Sequence, residues 1–222
     1  MPTLFFDIDG TLIRTGGAGK AAMEAALRTA FGVSEIRDTI SYSGRTDPDI
    51  GRDLLRVHDL DPTPANYERL RDAYLRHLEP CMNAIRGHVL PGIAELLDRL
   101  RSANRRVGLL TGNIEAGARV KLDHFGLWNH FSFGGFGDGC HDRDDVARTA
   151  LAAARAVHGE PLNDLWVIGD TPNDVKCARA IGAKCVAVAT GWHSTAELAA
   201  ANADLVLDDL SQFGRLPTNW FE

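Results

Sequence analysis

No apolar run in this chain of 222 residues approaches the roughly 20 that a bilayer-spanning helix needs. Basic residues are outnumbered, with 24 Lys and Arg against 30 Asp and Glu and a formal charge of −6. A nucleic-acid surface usually needs a basic patch, so no nucleic-acid partner is expected. Cysteine is scarce: Cys81, Cys140, Cys177 and Cys185 form no CxxC pair and no metal spacing. The eight histidines are scattered, and none gives an HxxxH pattern with a third zinc ligand. Met1-Pro2-Thr3-Leu4 lacks the basic and apolar regions of a signal peptide. Repeats and low-complexity segments are missing too. These absences leave a reduced, cytoplasmic protein with no membrane partner, a monomer or a homodimer. At 45% hydrophobic and 24% charged residues, it has the composition of a globular protein with a sizeable core.

What is present is an alternation of strands and helices from about residue 87 onward, the mark of a mostly parallel sheet with helices on its faces. Leu4 to Phe6 reads as a buried first strand. Pro91 and Gly92 open a helix with Ile93, Leu96, Leu97 and Leu100 at helical spacing. A strand at 107–110 follows, then a helix at 115–125 and a short strand at 131–136. Asp142 or Asp144 can cap an alanine-rich helix reaching about Val157. Residues 165–168, 185–189 and 205–207 complete the strands, and Ser194 or Thr195 with Glu197 signals a short helix between the last two. The fold class expected is α/β, a Rossmann-like parallel sheet with helices on both faces.

Residues 15–86 differ in kind. Helical patterns cover 18–31, 47–57 and 64–79 without a convincing strand, bounded by Gly16-Gly17 and Arg86-Gly87. Such glycines permit the dihedral changes of a hinge. The expected division is therefore a core of residues 1–14 and 87–222 carrying an inserted α-helical cap at 15–86.

Three of the core strands end in residues suited to oxygen or phosphate chemistry. Asp7 and Asp9 follow the first, two residues apart and so on one side of a strand end. Thr111, Gly112 and Asn113 follow the second, and Asp170 follows the fourth, with Asp174 one helical turn on. Ligands of open parallel sheets bind outside the carboxyl ends of the strands, so one crevice can collect all three groups. Four carboxylates there repel one another unless a cation intervenes. Hard oxygen donors suit Mg²⁺.

The runs Phe5-Phe6-Asp7-Ile8-Asp9-Gly10-Thr11, Leu110-Thr111-Gly112-Asn113 and Ile168-Gly169-Asp170-Thr171-Pro172-Asn173-Asp174 resemble three of the four motifs of the haloacid dehalogenase superfamily. Within it, Ser43-Gly44-Arg45-Thr46-Asp47 and the cap layout are similar to the phosphoglycolate phosphatase-like hydrolases. The resemblance implies a phosphatase acting on a small phosphorylated metabolite. Asp7 would be the nucleophile and Asp9 the general acid and then base. Thr111 would hold the phosphoryl oxygens, with Gly112 and Asn113 beside it as substrate-binding positions. Asp7, Asp170 and the Asp9 backbone carbonyl would ligate Mg²⁺, with Asp174 orienting the cation or a metal-bound water. The second acid, Asp9, favours phosphate chemistry over carbon–halogen cleavage.

The remaining motif departs from the commonest pattern. Where the family usually has a lysine, the candidate is Arg143, whose planar fork carries a permanent charge. Lys121 and Lys176 are rival cations, both on predicted helices at less suitable places. Arg45 is a candidate substrate-facing residue of the cap, with Thr46 and Asp47 as substrate or hinge residues. His141 is expected to be a loop residue. Two alternatives keep the acidic crevice: a sugar phosphomutase of the β-phosphoglucomutase type, and a non-catalytic phosphoacceptor module.

Overall fold

The computed structural model describes residues 1–37, 39–140 and 142–222; His141 lies outside them. In chain order the elements are β1 (Thr3–Phe6), β2 (Ile13–Arg14), α1 (Ala18–Phe31), α2 (Asp47–Val57), α3 (Pro64–Ala84), β3 (His88–Val89), α4 (Ile93–Ser102) and β4 (Arg106–Leu110). Then come α5 (Glu115–His124), β5 (Gly134–Gly135), α6 (Arg143–His158), β6 (Leu165–Gly169), α7 (Pro172–Ala180), β7 (Lys184–Val188), α8 (Thr195–Ala200) and β8 (Leu205–Leu207).

Six of the strands form a parallel sheet in the order β5-β4-β1-β6-β7-β8. Apart from Thr3, Arg106 and Lys184 at the starts of β1, β4 and β7, its strands carry no polar side chain, because both faces are covered. Leu4, Phe6, Leu109, Trp166 and Ile168 point into one hydrophobic cluster, and Phe5, Leu110, Val167 and Cys185 into the other. The sheet runs from β1 to β4 on one side and to β6 on the other. The strand order thus reverses at β1, where open α/β sheets gather their ligands.

The three helices α1, α2 and α3 stand outside this sheet and share a hydrophobic cluster of their own, with Leu27, Leu54, Leu55, Leu70 and Tyr74 fully buried or nearly so. Helices α1 and α2 have the bounds expected from the sequence. Helix α3 runs past the expected residue 79 to Ala84, through Pro80. Proline removes one backbone donor, but Leu78 and Met82 on either side of it are both buried, and that packing carries the helix on. The chain enters and leaves this insertion through a small antiparallel ribbon in which Ile13 pairs with Val89 and Arg14 with His88. Gly16 beside it has φ 66°, and a methyl group there would lie 2.5 Å from the Arg86 carbonyl oxygen.

The strand expected at 131–136 shrinks to Gly134–Gly135, preceded by a 3-10 turn at Trp128–His130. Its aromatic side chains are used for packing: the Phe133 ring fills the space above Gly108 and meets Phe5 edge-on at 5.6 Å. Asp142 opens α6, accepting the Asp145 N–H at 2.9 Å, and Ser194 with Glu197 forms the capping box of α8. No helix among the described residues is long and apolar enough to cross a membrane.

Candidate active site

Asp7 is the first residue beyond β1, tied to the next strand by its N–H bond to the Ile168 carbonyl at 2.9 Å. Gly10, at φ 88°, then turns the chain. A side chain at Gly10 would collide with Asp170, and one at Gly191 would overlap it. Asp170 therefore sits in a slot made by two glycines, with the Thr11 hydroxyl donating to its Oδ1 at 3.2 Å.

Asp7, Asp170 and Asp174 each bring a carboxylate oxygen to within 4.8 Å of the others, and all three are buried. Burial first, then Asp174 and the other carboxylates, pushes both Asp7 and Asp170 above the ordinary carboxylate range. A hard divalent cation held by these oxygens would remove that cost, and the donor set fits one. Asp174 has further commitments. Its Oδ2 accepts the Thr171 N–H at 3.0 Å and the Thr171 hydroxyl at 2.7 Å, closing the capping box of α7, while its Oδ1 accepts from Arg143.

Arg143, at the start of α6, is only 7% exposed. Its Nη2 bonds Asp174 and its Nη1 lies 3.6 Å from Asp7 Oδ1. Burial opposes its charge, but Asp174 and Asp7 outweigh burial and hold the guanidinium ionised. The neighbouring acids that could have drawn it away are engaged elsewhere, Asp145 with Arg148 and Asp144 with Lys176. Lys176 is exposed and stands away from the acids of the site.

The second loop makes a tight hydrogen-bonded group. The Thr111 Oγ1 accepts the backbone N–H of Asn113 at 3.3 Å and its side-chain amide at 2.8 Å. With both N–H groups pointing at it, the Thr111 hydroxyl keeps its own hydrogen to donate. The Asn113 amide also donates to Asp9 Oδ2 at 2.8 Å. That same oxygen receives the ammonium of Lys121 at 2.7 Å, and Lys121 further donates to Asn113 Oδ1 at 2.6 Å. Lys121 therefore belongs to the site, contrary to the expectation that its helix was a less suitable place. The signal was legible: Ile114, Ala118, Lys121 and Leu122 fall at the i, i+4, i+7, i+8 spacing of a core-facing stripe. A lysine on such a stripe is buried by the helix that carries it.

The insertion closes over these loops. The Asp47 N–H donates to the Gly112 carbonyl at 2.8 Å, and Asp47 Oδ2 accepts the Ile114 N–H at 2.9 Å, at the N-terminus of α5. Burial raises the Asp47 carboxyl to about 6, against the pull of Lys121 and the Ile114 hydrogen bond. Gly112 lies so close to the Arg45 carbonyl that a Cβ would overlap it. On the other side, the Asn173 amide donates to the Gly44 carbonyl at 2.7 Å. Arg45 lines the cavity beneath the insertion, with its guanidinium paired to Asp53 at 2.7 Å. Thr46 caps α2 through the Asp49 N–H. The cavity, about 1170 Å³, runs between Asp7, Asp9, Thr111 and Asp170 below and Tyr42 and Tyr74 above.

A family model described as haloacid dehalogenase-like hydrolase matches residues 4–179, and a second, HAD-hydrolase-like, matches 146–213. The chain is similar to the phosphoglycolate phosphatase of Synechococcus elongatus, 30% identical over 213 residues that span 94% of this chain and 93% of the relative. It is 27% identical to a probable phosphatase, IndB, of Dickeya dadantii, over 95% of this chain and 91% of that one. Among solved structures, CbbY from Rhodobacter sphaeroides in complex with phosphate superposes with a TM-score of 0.79 at 22% identity, over 99% of this chain and 98% of that one. At that identity the likeness speaks for the fold alone.

Proposed function

This chain belongs to the haloacid dehalogenase-like hydrolases, and on that premise we propose that it is a Mg²⁺-dependent phosphatase of small phosphorylated metabolites. Its substrate in this reading is a phosphoglycolate-like phosphomonoester, hydrolysed through an aspartyl phosphate on Asp7. The observation that carries the proposal is the meeting of Asp7, Thr111 and Asp170 at the ends of three adjacent strands, with Arg143 at the start of α6 beside them, under the helical insertion. Likeness to the Synechococcus phosphoglycolate phosphatase supports the substrate class.

The roles follow from chemistry. An Asp7 oxygen attacks phosphorus, and the bond from phosphorus to the leaving oxygen breaks while Asp9 delivers a proton to that oxygen. Asp9 then takes a proton from water, the water oxygen attacks phosphorus, and the Asp7–phosphorus bond breaks to release phosphate. The Thr111 hydroxyl donates to the phosphoryl oxygens, with Gly112 and Asn113 lining the same loop. Arg143 supplies fixed positive charge beside Asp7 where negative charge develops. Asp174 orients Arg143, since its oxygens are already shared between that guanidinium and Thr171. The side chains of Asp7 and Asp170 and the backbone carbonyl of Asp9 would hold Mg²⁺, with the Asp174 carboxylate alongside. Bound there, Mg²⁺ neutralises the carboxylates and the phosphoryl oxygens. Closure of the insertion over a bound substrate would exclude bulk water from the reacting groups. Four free cysteines fit the reducing cytoplasm as the place of action.

The test is a panel of phosphorylated metabolites with Mg²⁺, read as free phosphate. Release from phosphoglycolate or a close relative, abolished in Asp7→Asn, is the expected result. Isomerised sugar phosphate without free phosphate would make the protein a mutase instead.

A further inference from the structure

We propose that Lys121 is a positioning residue that holds the Asp9 carboxylate in one orientation, so that only one of its oxygens faces the reacting atoms. The inference rests on the phosphatase reading and adds to it a residue outside the four motifs.

Two donors, Lys121 Nζ at 2.7 Å and the Asn113 amide at 2.8 Å, converge on a single oxygen of Asp9, Oδ2. A carboxylate with one oxygen gripped twice cannot rotate freely about its last bond. Its Oδ1 is then the oxygen left to exchange a proton with the leaving group and with water. Lys121 is itself fixed, since it also donates to Asn113 Oδ1 at 2.6 Å and is 5% exposed. A charge buried that deeply stays where its partners are.

The insertion completes the clamp. A Cβ built on Gly19 of α1 would lie 3.6 Å from Lys121 Nζ and Cε, so α1 covers the lysine from above. Asp47, bonded to the start of the helix that carries Lys121, adds a second negative charge near the ammonium. The Asp9 side chain is itself 42% exposed. The lysine thus lends an exposed acid the fixed geometry that proton transfer needs.

The experiment compares kcat/KM of wild type, Lys121→Met and Lys121→Arg on 4-nitrophenyl phosphate and on phenyl phosphate with Mg²⁺. The two esters have nearly the same shape, but phenoxide is the poorer leaving group and needs the proton more. Lys121→Met should lose about 10²-fold on phenyl phosphate and at least about tenfold less on the nitrophenyl ester, with Lys121→Arg recovering part of the loss. Equal losses on both esters, or no loss, would overturn the positioning role. Should Lys121→Met not fold, Lys121→Gln carries the same comparison on the same criterion. If the wild-type protein releases phosphate neither from these esters nor from any metabolite of the panel, the phosphatase reading itself falls and the role of Lys121 with it. Turnover of both esters with equal losses in the variant overturns the lysine's role alone.

Discussion

The guanidinium of Arg143 stands between two buried carboxylates, bonded to Asp174 and 3.6 Å from Asp7. One side chain thereby links the start of α6, the start of α7 and the end of β1. Its removal would leave two buried carboxylates short of their compensating charge. Arg143→Ala is expected to destabilise the fold by about 3–5 kcal/mol and to cut turnover by about 10²–10³-fold. Arg143→Lys should keep more of both, because the charge survives while the fork is lost. Thermal unfolding and phosphate release measure the two effects; equal values for all three proteins would put Arg143 outside the site.

The acidic slot makes stability depend on pH and on metal together. The carboxyls of Asp7 and Asp170 are raised above their unfolded values, so the folded state holds protons that the unfolded chain has lost. Without metal, their penalty is absent at about pH 4 and below and grows as the pH rises through neutrality. The metal-free protein should therefore melt at progressively lower temperature from mildly acidic to neutral and alkaline pH. Mg²⁺ binds the ionised pair, so its stabilisation should be small in mild acid and large above neutrality. A melting-temperature series with and without Mg²⁺ checks this; a metal effect that shrinks as pH rises would contradict it.

Gly191→Ala tests the slot itself. Its new methyl group would overlap the Asp170 carboxylate, displacing the proposed metal ligand while leaving the strands intact. The Mg²⁺ concentration for half-maximal activity should rise about tenfold or more, matching the 10–100-fold cost of disturbing a ligand's support. Mg²⁺ titration of phosphate release is the measurement.

Gly112→Ala addresses the other side of the cavity. A Cβ there runs into the Arg45 carbonyl, so the insertion would be held off the Thr111 loop. Because misplacement by about 1 Å can cost about 10² in rate, kcat/KM should drop by that order. Unchanged kcat/KM would mean that the contact between Gly112 and Arg45 does not matter to turnover.

Much of this was readable from residue order because the informative side chains sit next to strong local signals. The apolar run Leu4–Phe6 ends at Asp7, and the runs before Thr111 and Asp170 end in the same way, so parallel strands bring their tips together. Arg143 was identifiable because it stands, by resemblance, where the family usually has a lysine, at the start of a helix legible from its alanine-rich pattern. Lys121 was undervalued because its partners, Asp9 and Asn113, are distant in the chain or on a loop whose path the sequence does not state. The pairing of Arg45 with Asp53 needed the geometry of α2, and the contact of Asp47 with α5 needed the closed insertion. The extension of α3 through Pro80 ran against local propensity and was decided by burial of Leu78 and Met82.

The central proposal is a covalent phosphoryl group on Asp7. Rapid acid quench of a single turnover with a phosphomonoester and Mg²⁺, followed by tritiated borohydride, which reduces the acyl phosphate to labelled homoserine as phosphate leaves, and peptide mapping, measures it directly. The expected result is label trapped on Asp7 in the wild-type protein and absent in Asp7→Asn. Phosphate release that proceeds with no label on Asp7, or undiminished in Asp7→Asn, would contradict it.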